Sequence, residues 1–199
     1  IIGGGVVGAA THAALCRRWA SARRKVKLYD VDTTKALDYF GETASCDIVF
    51  ICVPTDSFNG RLNTSIVETV IDDIERENPD ALIAIRSTVP IGFTGRMDDA
   101  HSCNVCFVPE FLFEANAVMD AVNPVLIVLG TCDDDARSAL VSVFEVFGEC
   151  HCVTPTEAET IKLAANAYGS VKVIYHNMIY DLTEKTGADY EVIRQLLSL

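Results

Sequence analysis

Residues 1–20 read "IIGGGVVGAATHAALCRRWA", in which two apolar residues lead into glycines and then into an alanine-rich helical segment. Gly3, Gly5 and Gly8 have the spacing G-x-G-x-x-G. Such glycines permit a tight turn after a strand, let a pyrophosphate approach the backbone and let the next helix pack closely on the strand. The N-terminus of that helix offers N–H groups to an anion. The stretch predicts a dinucleotide-binding turn, and the alternative is a glycine-rich turn with a purely structural role.

A carboxylate follows this turn at the end of the next predicted strand. Residues 25–32, "KVKLYDVD", read as a short strand that reaches Asp30. An acid at this place accepts hydrogen bonds from a ribose diol, which favours NAD over NADP. Lys35 is either close to the adenosine of that cofactor or simply solvated. Only Ile1 and Ile2 precede the glycines, so we expect the natural chain to begin further upstream.

The chain up to residue 154 alternates between apolar strands and amphipathic helices. The run "CDIVFICVPTD" at 46–56 is uninterrupted, as in a parallel sheet covered on both faces. Helical patterns follow at 63–80 and 133–148, and further strands are predicted at 81–88, 105–110, 124–130 and 150–154. This alternation predicts an α/β fold, a Rossmann-like doubly wound parallel sheet that forms an NAD-binding domain over residues 1–154.

Residues 155–199 have a different character and form a predicted helical linker. The pattern from Thr156 predicts one long helix that stops at Gly187, a residue suited to ending helices. Asp189 then caps a final helix. Long helices of this kind often bridge domains or pair with a copy of themselves, so we expect a homodimer through residues 157–186.

The charge balance excludes some classes of partner. The 199 residues carry 16 Lys and Arg against 28 Asp and Glu, a formal net charge of −12. This argues against a nucleic-acid surface, which needs clustered cations. The basic residues Arg17, Arg18, Arg23, Arg24 and Lys25 indicate a helix end followed by a solvated turn. No apolar run is long enough for a membrane span, and no leader is visible, so we expect a soluble cytoplasmic protein.

Two of the cysteine groups have partial metal-site character. Cys103 and Cys106 lie beside His101, and Cys150 and Cys152 flank His151. Thiolates and imidazole are preferred zinc ligands. Both pairs lie in or beside apolar, strand-like stretches, however, where cysteine packs as a small hydrophobe. We therefore predict no metal site.

Five stretches occur in an order that resembles a known family. They are "GGGVVG" at 3–8, "ICVPTD" at 51–56, "RSTVPIGFT" at 86–94, "PEFLFEANAVMD" at 109–120 and "EAETIKLAANAY" at 157–168. The sequence resembles the nucleotide-sugar dehydrogenases that oxidise UDP-glucose or GDP-mannose to uronic acids, most of all the short bacterial type of UDP-glucose 6-dehydrogenase. The similarity runs over nearly the whole chain. It implies a role in polysaccharide precursor synthesis.

The resemblance implies three overlapping sets of site residues. NAD would be held by Gly3, Gly5, Val6, Val7, Gly8, Asp30, Lys35, Val53, Pro54, Thr55, Ser87, Thr88 and Glu114. The UDP-sugar would be held by Glu110, Phe111, Leu112, Phe113, Glu114, Lys162 and Asn166. The catalytic residues around the sugar C6 would be Thr88, Glu110, Glu114, Lys162 and Asn166.

The residue types suit this chemistry on their own terms. Lys162 and Asn166 are four apart on the predicted helix, so both point to one spot. An ammonium and an amide there can stabilise a developing oxyanion. Glu110 and Glu114 would manage water and protons, or would merely solvate a loop, while the phenylalanines of this stretch seat the loop.

The sequence departs from the family pattern in three places. Phe113 stands where the family usually has arginine, and Ala115 where it has glycine. Residues 33–47 are a much shorter connection than the family has there, so we expect a trimmed adenine side of the pocket. The cysteine nucleophile and aspartate of the family would fall beyond residue 199. We therefore expect this chain not to complete the two-step oxidation, which needs a thiolate.

Two other interpretations remain open at this point. A 3-hydroxyacid dehydrogenase relative would also pair a glycine turn with lysine and asparagine one helical turn apart. A degenerate homologue, kept as a nucleotide-binding or scaffold protein, is the alternative outside enzymes, since folds are freely reused.

Overall fold

The computed structural model describes residues 1–19 and 25–197 of the chain. The helices are α1 (Val6–Arg18), α2 (Phe40–Ala44), α3 (Ser65–Glu77), α4 (Phe93–Ala100), α5 (Ala117–Val122), α6 (Asp134–Phe144), α7 (Pro155–Thr186) and α8 (Tyr190–Leu196). The strands are β1 (Ile48–Ile51), β2 (Ser57–Phe58), β3 (Arg61–Leu62), β4 (Leu82–Ile85), β5 (Val105–Phe107), β6 (Ile127–Gly130) and β7 (Cys150–Val153). Arg17 and Arg18 end α1 as predicted, whereas Arg23 and Arg24 lie outside the described residues.

The main sheet has the strand order β1-β4-β5-β6-β7. β1, β4 and β5 are parallel, as predicted, but β6 pairs antiparallel with β5 and β7 is parallel to β6. β2 and β3, which have two residues each, form an antiparallel hairpin that is not part of this sheet. The predicted Rossmann-like α/β class is confirmed, with its last two strands reversed.

The predicted strand at 25–32 is shorter than expected. Ile2 forms single parallel bridges with both Tyr29 and Ile51, and these bridges extend the sheet beyond β1. Within residues 25–32 only Tyr29 forms a bridge, and the Leu28 N–H donates to the Asp38 carboxylate over 2.9 Å. The carboxyl ends of these segments still meet at one edge, where Gly3 follows Ile2 and Asp30 follows Tyr29.

Helices cover both faces of the sheet. Ile83 and Ile85 of β4 face a core that includes Ile71 and Ile74 of α3. Leu82 and Ala84 face the opposite core, which includes the buried residues Leu15 of α1 and Leu140 and Phe144 of α6. All four residues of β4 are buried, which explains why its sequence is apolar without alternation.

The chain divides into two compact units, Ile1–Lys162 and Leu163–Leu199. The domain boundary predicted between residues 154 and 155 coincides with the start of α7 and stays a prediction. In the second unit α7 ends before Gly187, whose φ is +73°, and the Asp189 carboxylate accepts hydrogen bonds from the N–H groups of Glu191 and Val192 at the start of α8. The end of α7 at Gly187 and the cap of α8 by Asp189 are as predicted.

Neither a membrane span nor a metal cluster is found in the described residues. Within residues 1–19 and 25–197 no helix combines the length and the apolar character that a bilayer requires. The same residues contain no group of three or more side chains placed to ligate a metal ion. Cys103 and Cys106 are buried in the core, and burial raises the pKa of each thiol to about 11.

His101 links α3 to the end of α4 through both ring nitrogens. Its Nδ1 lies 2.8 Å from the Met97 carbonyl oxygen and its Nε2 lies 2.9 Å from Asp72 Oδ1. Both nitrogens face acceptors, an arrangement that only the imidazolium satisfies. The hydrogen bond to Asp72 is the main reason that the pKa of His101 is raised from 6.5, with Met97 and the nearby Glu75 acting in the same direction.

We therefore expect the stabilisation from His101 to be complete below pH 6.5 and to be lost as the pH rises through the raised pKa. Urea denaturation of the protein and of Asp72→Asn at about pH 6 and about pH 8 measures this. The variant will lose stability mainly at the lower pH. Asp73→Asn, which alters a neighbouring exposed ion pair with Arg76, is the control. An equal effect of Asp72→Asn at both values would contradict the prediction.

Candidate active site

The glycine turn is fixed by close backbone packing. Gly3 has a φ of +101°, and a Cβ there would lie 2.4 Å from the Cys52 carbonyl oxygen. A Cβ on Gly8 would lie 1.7 Å from the Gly3 carbonyl oxygen. At Gly5, by contrast, no described atom beyond its immediate neighbours lies within 4 Å of the Cβ position. Two glycines therefore allow the turn to pack, and Gly5 leaves open space at the N-terminus of α1 where phosphates can approach.

A cavity of about 1050 Å³ opens beside this turn. Eight of the predicted cofactor residues line it, namely Gly3, Gly5, Val6, Val7, Asp30, Lys35, Val53 and Pro54. Its volume is at the upper end of the range for ligand pockets, as a dinucleotide requires. Gly8 lies behind the turn, and Thr55, Ser87, Thr88 and Glu114 are not among the lining residues.

The cavity also has an apolar wall that sequence reasoning missed. Tyr29, Val31, Phe40, Ile66 and Val70 line it in addition to the predicted residues. Ile66 and Val70 are four apart on α3, so their common helical face was visible in the sequence. Phe40 stacks edge-on against Tyr29, with ring centroids 5.3 Å apart. This wall suits a flat base.

Asp30 is held by two backbone N–H groups. Its Oδ2 accepts from Gly4 over 2.5 Å and its Oδ1 accepts from Asp32 over 2.7 Å. An ionised carboxylate accepts about four hydrogen bonds, so acceptor capacity remains for a ribose diol. Lys35 packs against Gly4 and forms an ion pair with Asp32 over 3.2 Å. Both predicted residues therefore lie at one end of the cavity.

Ser87 connects the loops that follow β1 and β4. Its hydroxyl donates to the Val53 carbonyl oxygen over 2.7 Å and lies 3.3 Å from that of Ile51. Val53 lines the cavity, so Ser87 supports the cavity wall from behind. Thr88 follows it and is half-buried.

Lys162 and Glu110 form a nearly buried ion pair. Lys162 Nζ lies 2.8 Å from Glu110 Oε1 and donates also to the Glu110 carbonyl oxygen, over 2.5 Å. The side chains of Lys162 and Glu110 are 6% and 13% exposed. The second carboxylate oxygen of Glu110 accepts from the Leu112 N–H over 2.7 Å, and Lys162 Nζ lies 5.5 Å from the centre of the Phe111 ring. Glu110 thus stabilises the loop that carries it and holds the Lys162 ammonium next to that loop.

Glu114 and Phe113 are not part of this cluster within the described residues. Glu114 is exposed and begins a short 3-10 helix, and Phe113 is 75% exposed. The expectation that both phenylalanines seat the loop is wrong for Phe113, because only its backbone is engaged, through the Asp120 carboxylate. Asn166 lies one turn beyond Lys162 on α7, in the second unit.

Arg86 is a buried cation that the sequence analysis did not select. It is 8% exposed, and its guanidinium lies 5.7 Å from the centre of the Phe144 ring. Burial lowers its pKa, and the neighbouring Cys52 and Glu110 oppose this shift. Its Nε has no hydrogen-bond partner within the described residues. The only signal in the sequence was an arginine directly after an apolar strand.

Solved structures of known proteins share this fold. A GDP-mannose dehydrogenase from Pseudomonas aeruginosa superposes with a TM-score of 0.85 at 25% identity, over 99% of this chain and 55% of that one. A UDP-glucose dehydrogenase from Pyrobaculum islandicum superposes with a TM-score of 0.84 at 26% identity, over 100% of this chain and 55% of that one. A 3-hydroxyisobutyrate dehydrogenase from Mycobacterium tuberculosis superposes with a TM-score of 0.75 over 99% of this chain and 68% of that one. At 18% identity, this is a likeness of fold alone.

Curated relatives and family models agree with these structures. UDP-glucose 6-dehydrogenase YwqF of Bacillus subtilis is 31% identical over 164 residues, 75% of this chain and 37% of the relative. The UDP-glucose 6-dehydrogenase of Rickettsia conorii is 34% identical over 160 residues, 76% of this chain and 37% of that protein. The chain therefore spans well under half the length of these relatives.

Two models of one family match most of the chain. Residues 30–148 match an NAD binding domain, which confirms the expected cofactor, and residues 156–199 match the central domain of the same family. With the glycine turn, the cavity and the Lys162–Glu110 pair in place, these matches show that the chain belongs to the UDP-glucose/GDP-mannose dehydrogenase family.

Proposed function

We propose that this chain binds NAD and orients a nucleotide sugar, UDP-glucose in the first place, for oxidation at C6 in an NAD-dependent dehydrogenase. The observation that carries the proposal is the buried Lys162–Glu110 pair, together with a cavity large enough for the cofactor. Both lie at the carboxyl edge of the sheet, where ligands of such folds bind. Relatives named UDP-glucose 6-dehydrogenase favour UDP-glucose as the substrate.

The ammonium of Lys162 is the group best placed to act on an alcohol oxygen. It has three N–H donors, of which two are directed to Glu110, so one remains for a substrate oxygen. In a nearly buried site such a donor stabilises a developing alkoxide more strongly than in water. NAD, when bound, supplies the hydride acceptor. In this proposal Thr88 and Glu114 complete the surroundings of C6, and the role that the resemblance implies for Asn166 stays a prediction.

The proposal assigns no nucleophilic role to the buried cysteines of this chain. Burial raises the pKa of Cys52, Cys103 and Cys106 to about 11 each. The thiolate is the reactive form, so these thiols are poor nucleophiles. The part proposed for this chain is therefore cofactor binding and substrate orientation.

The predicted homodimer through residues 157–186 belongs to the same proposal. Large apolar side chains are exposed along α7 in the second unit, among them Tyr168, Val171, Ile174 and Met178. An apolar surface of this kind supports association with a second copy. The cytoplasmic location and the role in polysaccharide precursor synthesis stay predictions.

Replacing Asp30 with alanine tests the proposal at the cofactor. We expect NAD affinity, measured by isothermal titration calorimetry, to fall about a hundredfold, because two charge-assisted hydrogen bonds to the ribose are lost. Asp135→Ala, which removes an exposed carboxylate of α6, is the matched control and should bind NAD as the unsubstituted chain does. Unchanged affinity in Asp30→Ala would refute the assignment of the cavity to NAD.

A further inference from the structure

A fully buried carboxylate lies one turn before Lys162 on α7. Glu159 has a relative exposure of 0%. Its Oε1 accepts from the Thr94 N–H over 2.7 Å and its Oε2 accepts from the Gly92 N–H over 2.5 Å. None of the described ion pairs includes it, so backbone N–H groups stabilise this buried charge in place of a cation. Charge-assisted hydrogen bonds of this kind are about twice as strong as neutral ones.

These two N–H groups belong to the start of α4. Gly92 is the N-cap of that helix and has a φ of +81°. Because it is a glycine, it has no side chain that could accept a hydrogen bond from its own helix end. Glu159 supplies the missing acceptor from an element more than sixty residues away in sequence. A carboxylate at this end is also favoured by the helix dipole. Glu159 therefore fixes the point at which the loop after β4 enters α4.

That loop is joined by a hydrogen bond to the wall of the cofactor cavity. It carries Ser87 and Thr88, and the Ser87 hydroxyl holds the Val53 carbonyl at the cavity wall. On the same face of α7, three residues later, Lys162 holds the Glu110 loop. One turn of α7 thus fastens two loops at the carboxyl edge of the sheet, one through a carboxylate and the other through an ammonium.

We infer that Glu159 is a positioning residue, which sets the place of Ser87 and Thr88 relative to Lys162 and so shapes the reacting end of the cofactor site. If Lys162 holds the substrate alcohol, as proposed above, the nicotinamide that accepts the hydride lies at this end. The inference rests on the proposed function for the identity of the ligand. Glu159 acts through the loop and does not itself touch the cofactor. Gly5, where phosphates would approach, and Asp30, where a ribose would bind, lie on other loops, and none of the described hydrogen bonds joins Glu159 to them.

This separation gives a specific test with Glu159→Gln. The amide keeps the size of the side chain but brings an N–H₂ group to one of the two backbone donors, so one hydrogen bond is lost and a donor faces a donor. We expect affinity for NADH to fall about tenfold while affinity for ADP-ribose, which lacks the nicotinamide, changes less than about twofold. The fluorescence of bound NADH should fall as well, because the nicotinamide is held less firmly.

The matched control is Glu184→Gln, the same change at an exposed position of α7. It should change the affinity for neither ligand. Hydrogen exchange measured by mass spectrometry should show faster exchange in Glu159→Gln at residues 87–94 and not at residues 3–8. Equal weakening of both ligands would show a general structural role and overturn the inference, as would unchanged binding of both. If the unsubstituted chain binds neither NADH nor ADP-ribose, the proposed function fails first and this inference falls with it.

Discussion

Alanine in place of Gly8 will lower the free energy of unfolding by about 3 kcal/mol or more, since overpacking against backbone is rarely relieved. The new Cβ would lie 1.7 Å from the Gly3 carbonyl oxygen and 3.3 Å from the Cys52 Cβ. Gly3 cannot move away freely, because it already packs against the backbone of Cys52 in a conformation with positive φ. Urea denaturation followed by circular dichroism measures the loss.

Gly95→Ala is the matched control for this variant. Gly95 is inside α4, and no described atom outside its own helix and neighbours lies within 4 Å of its Cβ position. Alanine there should stabilise the helix, by up to about 1 kcal/mol. A Gly8→Ala variant as stable as Gly95→Ala would show that the glycine turn is looser than its geometry indicates.

Methionine in place of Lys162 will lower the free energy of unfolding by about 3 kcal/mol, the usual cost of leaving one member of a buried ion pair without its partner. The Glu110 carboxylate is only 13% exposed and would keep a single bond, to the Leu112 N–H. The loop that it folds should loosen as a result. Chemical denaturation at neutral pH measures the difference from the unsubstituted chain.

The double variant Lys162→Met with Glu110→Gln separates the charge from the packing. A neutral amide costs much less to bury than a carboxylate without a partner, so the double variant should recover most of the lost stability. The two changes would then be strongly non-additive, as expected for residues in direct contact. A double variant less stable than Lys162→Met alone would refute the view that the unpaired charge causes the loss.

The parts of the fold that depend on local pattern were predictable from the sequence. The spacing of Gly3, Gly5 and Gly8 places the turn, because a Cβ does not fit at Gly3 or Gly8 and because Gly5 leaves room for phosphates. The end of α7 at Gly187 and the cap at Asp189 also follow from local conformation and local hydrogen bonds. The apolar runs identify β1 and β4, because strands buried on both faces carry no polar residues.

Long-range pairing was not predictable in the same way. Strand direction leaves no mark on an apolar run, so the reversal of β6 and β7 against β5 was not visible. Phe113 looked like an anchor by residue type, yet it faces solvent because the loop is held by backbone contacts. Glu159 resembled the other acids of a helix, and only the tertiary structure places it against the start of α4.

The contacts that Glu159 and Lys162 make from α7 limit how homologous sequences can vary. An α-helix turns by about 100° per residue, so one residue inserted between Glu159 and Lys162 would carry one of them off the shared face. The loops that they hold can change length elsewhere, since each contact with α7 involves only a few neighbouring residues of the loop. We therefore expect relatives that share this arrangement to keep the spacing E-x-x-K unbroken while insertions collect in the loops on either side.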